Sequence, residues 1–121
     1  MADLQITATI LNSEKPIVLL ELQGDIDGHT LPKLQESFND HLKQGIKLIV
    51  IDMSEIVYVN TALGVIVKNA DIFRKAGGGM ALLKLPPKVK IVIEMLELDS
   101  FFYVCKDLDS AKRALLESPP S

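Results

Sequence analysis

Ile46 to Met53 is apolar at every position except Lys47 and Asp52. A run this short, and this rich in Ile and Val, reads as a central strand of a sheet. What flanks it limits the fold further. From Gly28 onward, helical and strand patterns alternate along the chain. Parallel strands need long crossovers, usually helices, so the alternation implies a parallel arrangement with helices packed on the sheet.

Two strands follow each other closely before the alternation begins. Gln5 to Leu11, rich in Ile and Thr, reads as an edge strand; Pro16 opens a second, Ile17 to Leu22, which Gly24 stops. The near-continuous apolar run of the second predicts burial on both faces. Their closeness predicts a hairpin, so the sheet is mixed. Asp27-Gly28-His29-Thr30 is a turn into a first helix, with Leu31, Leu34, Phe38 and Leu42 on one face and Gly45 at its end. Thr61 to Lys75 is a second helix, with Leu63, Ile66, Val67, Ala70 and Phe73 on one side and three glycines, Gly77 to Gly79, after it. Met80 to Leu85 is a fourth strand, and Pro86-Pro87 start a third helix with Val89, Val92, Ile93 and Leu96 as its apolar positions. Phe101 to Val104 is a short strand, and Asp109 caps a last helix with Ala111, Ala114 and Leu115 inside.

Composition bounds the class. The chain has 121 residues, 48% apolar and 24% charged, which predicts one globular α/β domain over residues 1–121 with its core at about 4–117. Residues 118–121 read as a flexible tail. The longest apolar run falls far short of the roughly 18 residues a membrane span needs. Asp3 and the lack of an apolar stretch after Met1 argue against a signal peptide, so a cytoplasmic protein without membrane insertion is expected. Cys105 is the single cysteine, which leaves no disulfide framework and no thiolate metal site. A net charge of -3 with interspersed signs disfavours nucleic acid.

Several residue groups invite chemistry. Gly77 to Gly79 suggests a phosphate loop, but such a loop follows a strand and opens a helix, whereas these glycines close one. They read as a helix cap and tight turn. His29 and His41 have no partner at metal-ligand spacing and read as surface or capping residues. Cys105 lacks a histidine partner and reads as a small buried hydrophobe. Ser54, two residues past Asp52, reads as bonding loop backbone. Asp25 and Asp27, flanked by Gly24 and Gly28, are either turn residues or a functional pair where the second strand delivers its chain. That leaves Asn60-Thr61 at the start of the second helix. Thr61 is either an ordinary helix-start residue or a phosphorylation switch, because a helix N-terminus welcomes a phosphate. Val57, Tyr58 and Val59 would form an apolar loop beside it, usable as a contact surface.

Three segments together resemble the STAS domain family, specifically the bacterial anti-sigma factor antagonists. Gly24-Asp25-Ile26-Asp27 with Thr30 looks like the family's segment leading into the first helix. Ile49-Val50-Ile51-Asp52-Met53-Ser54 followed by Ile56 is similar to its strand ending in Asp-Leu-Ser-x-Val, and Leu63-Gly64-Val65-Ile66 to the Leu-Gly after its Asp-Ser-Ser-Gly phosphorylation site. Gly77-Gly78, Met80, Pro87 and Val89 also fall at family positions, so the resemblance spans about residues 4 to 117. It implies helices packed mainly on one face of the sheet. It also implies a non-enzymatic function without metal or cofactor. The unmodified protein would bind a serine/threonine kinase anti-sigma factor and free the sigma factor. The kinase would phosphorylate the antagonist and a phosphatase would reverse this.

The resemblance implies partner binding through Asp25, Asp27, Tyr58, Val59, Asn60, Thr61 and Ala62. Aligned on Leu63-Gly64, Thr61 takes the phosphorylated position; aligned without a gap from Asp52, Ala62 does, and no hydroxyl stands there. A STAS subunit of a lipid-transport ABC complex, or an unphosphorylated STAS interaction domain, is the competing reading. A small enzyme would need a nucleophile–base pair or phosphate loop that the sequence does not offer.

Overall fold

The computed structural model describes residues 3–11, 14–59 and 62–117, with backbone alone for residues 57–59 and 62. Among these residues five strands form one sheet: β1 Gln5–Leu11, β2 Ile17–Ile26, β3 Leu48–Val59, β4 Gly79–Leu83 and β5 Tyr103–Cys105. Spatial order equals chain order. β1 and β2 pair antiparallel as the expected hairpin, and the remaining pairs are parallel. The helices are α1 Leu31–Lys43, α2 Ala62–Lys75, α3 Pro87–Met95 and α4 Leu108–Glu117, with a 3-10 turn at Leu98–Ser100 that no sequence signal predicted.

The apolar run that fixes β3 at the centre divides its residues between two cores. Ile49, Ile51 and Met53 face one side, against Leu34 and Phe38 of α1, Ile66, Ala70 and Phe73 of α2, and Val89 and Ile93 of α3. Leu48 and Val50 face the other, against Ala111 and Leu115 of α4. Side chains alternate across a strand with a period of two, so consecutive apolar residues require cover on both faces. Helices thus lie mainly on one face, and α4 alone covers the other. It is too short to cover all of β2. Ile17 reaches its core, but Glu21 and Gln23 further along β2 are exposed, so two-faced burial holds only at the start of that strand.

Several boundaries differ from the sequence reading. β2 does not stop at Gly24 but runs on to Ile26. β3 extends past Met53 to Val59, so Val57-Tyr58-Val59 are strand backbone, with Tyr58 and Val59 paired to β2, and not a loop. β4 ends at Leu83, before the left-handed Lys84 (φ 54°). β5 starts two residues late, at Tyr103, because the 3-10 turn takes the chain up to Phe101. In α3 only Val89 and Ile93 are buried; Val92 and Leu96 point outward. The cap of α4 is Asp107, whose Oδ1 accepts from the Ser110 amide at 2.8 Å, in place of Asp109. The expected tail, residues 118–121, lies outside the described residues.

The glycine run has a structural cause. A Cβ on Gly78 would stand 1.8 Å from the Lys47 carbonyl oxygen, and the Gly79 amide donates to that same oxygen at 3.0 Å. Here the chain leaving α2 passes directly over the start of β3, which only a residue without a side chain permits. The expected helix end and tight turn are present, and the close backbone crossing adds the reason a glycine stands at position 78.

Candidate functional site

The C-terminal ends of β2 and β3 lie side by side, with Asp25 near the end of one and Asp52 and Ser54 on the other. β3 carries more residues than β2 over this stretch. Pairing steps from Glu21↔Asp52 to Gln23↔Glu55, then from Gly24↔Ile56 to Asp25↔Tyr58, so β3 bulges twice. Asp52 braces the first bulge: its Oδ1 accepts from the Ser54 amide at 2.9 Å, and its Oδ2 lies 3.7 Å from Lys84 Nζ. The local bonding that the sequence suggests at Ser54 is present as an Asx-type turn, with the Ser54 amide donating to the Asp52 carboxylate. The link to Lys84 joins β3 to the β4–α3 connection.

Gly24 lets β2 follow this path. It has φ +115°, and a Cβ there would stand 2.0 Å from the Asp3 carbonyl oxygen. Two residues later the strand ends in a tightly bonded turn. Asp27 Oδ1 accepts from the amides of His29 (2.9 Å) and Thr30 (3.1 Å). The buried Thr30 hydroxyl accepts from the Asp27 amide at 3.0 Å and donates to the Asp25 carbonyl at 2.7 Å. Asp27 therefore does the turn chemistry expected of it. Asp25, half-buried, sits one step back on β2 opposite Tyr58, and Ile26 pairs with Val59.

On the neighbouring strand, α2 begins at Ala62, three residues past the end of β3. Asn60 and Thr61, between them, lie outside the described residues, as do the side chains of Tyr58, Val59 and Ala62. The first turn of α2 carries no acidic residue, while Arg74 and Lys75 close its last turn, each paired with Asp71 (2.6 and 3.0 Å). Those partners hold the half-buried Asp71 carboxyl below its usual range, Lys75 foremost.

α2 is also locked to α1 by a pair the sequence reading missed. Asn69, buried in the middle of α2, donates to Gln35 Oε1 at 2.8 Å and accepts from Gln35 Nε2 at 2.9 Å. It donates as well to the Val65 carbonyl, so its amide is satisfied. A buried Asn on the apolar face of a helix is the one signal that pointed to it. The pair thus holds the middle of α2 against the first half of α1, the helix that springs from the Asp27–Thr30 turn.

The other candidates fall elsewhere. His29 is exposed and contributes only its backbone amide. His41 is largely buried, its Nδ1 2.7 Å from the Ser37 carbonyl, and so belongs to the packing of α1, not to the surface. Cys105 is half-buried at the end of β5, beside a cleft of about 460 Å³ lined by Lys84, Lys90, Ile93, Glu94 and Val104 among others. Burial first, and the negative charge of Asp107 second, push its thiol pKa up. At about neutral pH it is therefore a poor nucleophile. Alkylation of Cys105 by iodoacetamide is expected to run several-fold slower than that of free cysteine and to rise with pH as thiolate forms; equal rates near neutrality would contradict it.

The order of elements, the mixed sheet and the paired strand ends match one known family throughout. The family model of the STAS domain matches residues 8–111. This chain belongs to the STAS domain family. Solved structures of similar fold include an anti-sigma factor antagonist from Mycobacterium paratuberculosis, with TM-score 0.73 and 22% identity over 93% of this chain and 96% of that one. A proposed anti-sigma factor antagonist from Thermotoga maritima gives TM-score 0.81 and 20% identity, over 93% and 95% of the two chains. SpoIIAA of Bacillus in its phosphorylated form gives 0.71 and 15%, over 91% and 99%. At these identities the likeness is one of fold. Among the described residues no helix is long and apolar enough to cross a membrane.

Proposed function

We propose that this STAS domain is an anti-sigma factor antagonist whose partner, a serine/threonine kinase anti-sigma factor, docks on the paired ends of β2 and β3. One observation carries the reading. The pairing of Asp25 with Tyr58 and of Ile26 with Val59 brings the Asp25–Thr30 turn level with the β3–α2 junction, so that one partner surface can span both. Asp25, Asp27, Tyr58, Val59, Asn60, Thr61 and Ala62 make up the proposed contact. The domain acts by binding, not turnover, and the partner supplies the kinase. Such a partner and the sigma factor it releases are intracellular, which makes the domain cytoplasmic.

Thr61 is the proposed switch. The kinase would move the terminal phosphoryl group of ATP to its hydroxyl, and a phosphatase would remove it. A phosphate adds about -1.5 to -2 charges. At the start of a helix with no acidic residue in its first turn, the free amides and dipole tolerate that charge. In a protein interface the same charge must be desolvated and repels acidic neighbours. Modification thus changes binding and leaves the fold intact. SpoIIAA, which shares the fold, has been solved in both unphosphorylated and phosphorylated forms.

The test is a binding measurement on two variants with the cognate kinase. Thr61→Glu is expected to weaken binding by at least about tenfold. Thr61→Ala should bind like the wild type and resist phosphorylation. Both should melt within about 4 °C of the wild type. If Thr61→Glu binds as the wild type does and mass spectrometry of native protein finds no phosphate on Thr61, the switch is absent. Co-purification with a membrane ATPase in place of a soluble kinase would overturn the partner assignment.

A further inference from the structure

β1 is an open edge of the sheet. It pairs with β2 on one side, and among the described residues no strand pairs with its other side. A free edge offers a row of backbone N–H and C=O groups to another strand, and folded domains commonly blunt it with a lysine, a proline or a bulge. β1 has none of these. Its seven residues, Gln-Ile-Thr-Ala-Thr-Ile-Leu, carry no charge and no proline, and the register with β2 is unbroken from Gln5 to Leu11. The strand also leaves apolar surface open. Ile6, Ala8 and Ile10 stand beside Leu22, Leu20 and Val18 on the face that α1 and α2 cover, yet Ala8 is exposed and Ile10 is 49% exposed. The stretch from Ile6 to Ile10 reads the same in both directions about Ala8: Ile-Thr-Ala-Thr-Ile.

We infer that β1 pairs with β1 of a second copy of this chain, antiparallel about a two-fold axis through Ala8. Pairing about that axis sets Ile6 opposite Ile10, Thr7 opposite Thr9 and Ala8 opposite Ala8 of the second copy. The palindrome makes this set of neighbours favourable, because each β-branched residue meets its own kind and no like charges meet. The rows of side chains continue across the join. Leu22 and Ile6 of one copy run on into Ile10 and Val18 of the other, and Leu20 and Ala8 into Ala8 and Leu20, so both apolar faces become one and the exposed Ile10 gains a neighbour. On the opposite face Glu21 and Thr7 run on into Thr9 and Leu19, which keeps the two Glu21 carboxylates apart. An extended segment of unrelated sequence would gain the same backbone bonds but not these matched pairs. Seven residues of edge make a small contact, which means a weak, concentration-dependent dimer. The inference is independent of the partner proposed above, since β1 lies on the far side of β2 from β3.

Sedimentation equilibrium of the full chain up to about 1 mM tests it. The wild type should approach twice the mass of one chain. A chain with Thr7→Lys and Thr9→Lys sets lysine opposite lysine and should dimerise at least about tenfold more weakly, as should one with Thr7→Glu and Thr9→Glu. An equimolar mixture of the two should form a mixed dimer at least as tight as that of the wild type, because each lysine then faces a glutamate. Both positions are exposed, and thermal melting verifies that each variant folds. Amide hydrogen exchange in β1 should slow as the wild type is concentrated. A single-chain mass at every concentration overturns the proposal. So does a dimer that withstands the paired lysines, a mixture of the two variants that stays monomeric, or β1 amides protected only when a kinase anti-sigma factor is added.

Discussion

Gly24→Ala is expected to destabilise this domain by about 3 kcal/mol, combining a backbone conformation that L residues rarely hold with a steric clash. The backbone there has φ +115°, and the added methyl would stand 2.0 Å from the Asp3 carbonyl oxygen, a backbone atom that cannot swing aside. Relief requires either β2 or the segment entering β1 to move. β2 beyond Gly24 holds Asp25 and Ile26 against β3, so the same movement should loosen the proposed docking surface. Gly28→Ala is the control. Its Cβ would meet nothing within 4 Å and its φ is not in the left-handed region, so a change within about 0.5 kcal/mol is expected. Urea unfolding of both variants makes the comparison. Equal stabilities would show that Gly24 is not under the constraint described.

Phe38→Ala should cost about 3–5 kcal/mol, the range for emptying an aromatic side chain from a closed core. Domains of this kind are stable by only about 5–15 kcal/mol in all, so the variant is expected to be partly unfolded at moderate temperature. Phe38 of α1 is fully buried and meets Phe73 of α2 edge to face, with ring centroids 6.1 Å apart at 76°. The two rings join the second half of α1 to the last turn of α2, away from the helix starts. Phe73→Ala should cost a similar amount, and the double variant less than the sum, because the second truncation enlarges a cavity that already exists. Strict additivity in denaturant unfolding would show that the rings do not act as a pair.

The elements of this fold were legible in the sequence wherever periodicity was strong. The apolar run Ile46–Met53 and the three-and-four spacing of Leu31, Leu34, Phe38 and Leu42 state burial directly, and the structure places them in the centre of the sheet and in α1. Boundaries were less legible where one residue type serves two ends. Gly24 reads as a strand stop because glycine usually breaks strands, but here it is the residue that lets a strand pass close to the Asp3 carbonyl. Val57-Tyr58-Val59 reads as a loop because the polar Asp52, Ser54 and Glu55 interrupt the run before it. Two bulges absorb that interruption and carry the strand on. Asp107 and Asp109 are equally good caps by composition, and only the hydrogen bond to Ser110 chooses between them. Val92 and Leu96 are apolar at helical spacing, yet spacing does not say which side of a helix meets the sheet.

Sequence alone determined the class of this protein: a mixed α/β sheet, a hydroxyl and an amide residue before α2, and the STAS resemblance, because burial pattern and local turn chemistry are properties of neighbouring residues. Tertiary structure alone decided what lies beside what. The level pairing of Asp25 with Tyr58, the Asp52–Lys84 link, the Asn69–Gln35 clamp and the outward Val92 and Leu96 of α3 all join residues far apart in the chain or depend on which face the sheet covers. Their positions follow from how parallel strands and crossover helices close on one another in three dimensions, and no local pattern records that.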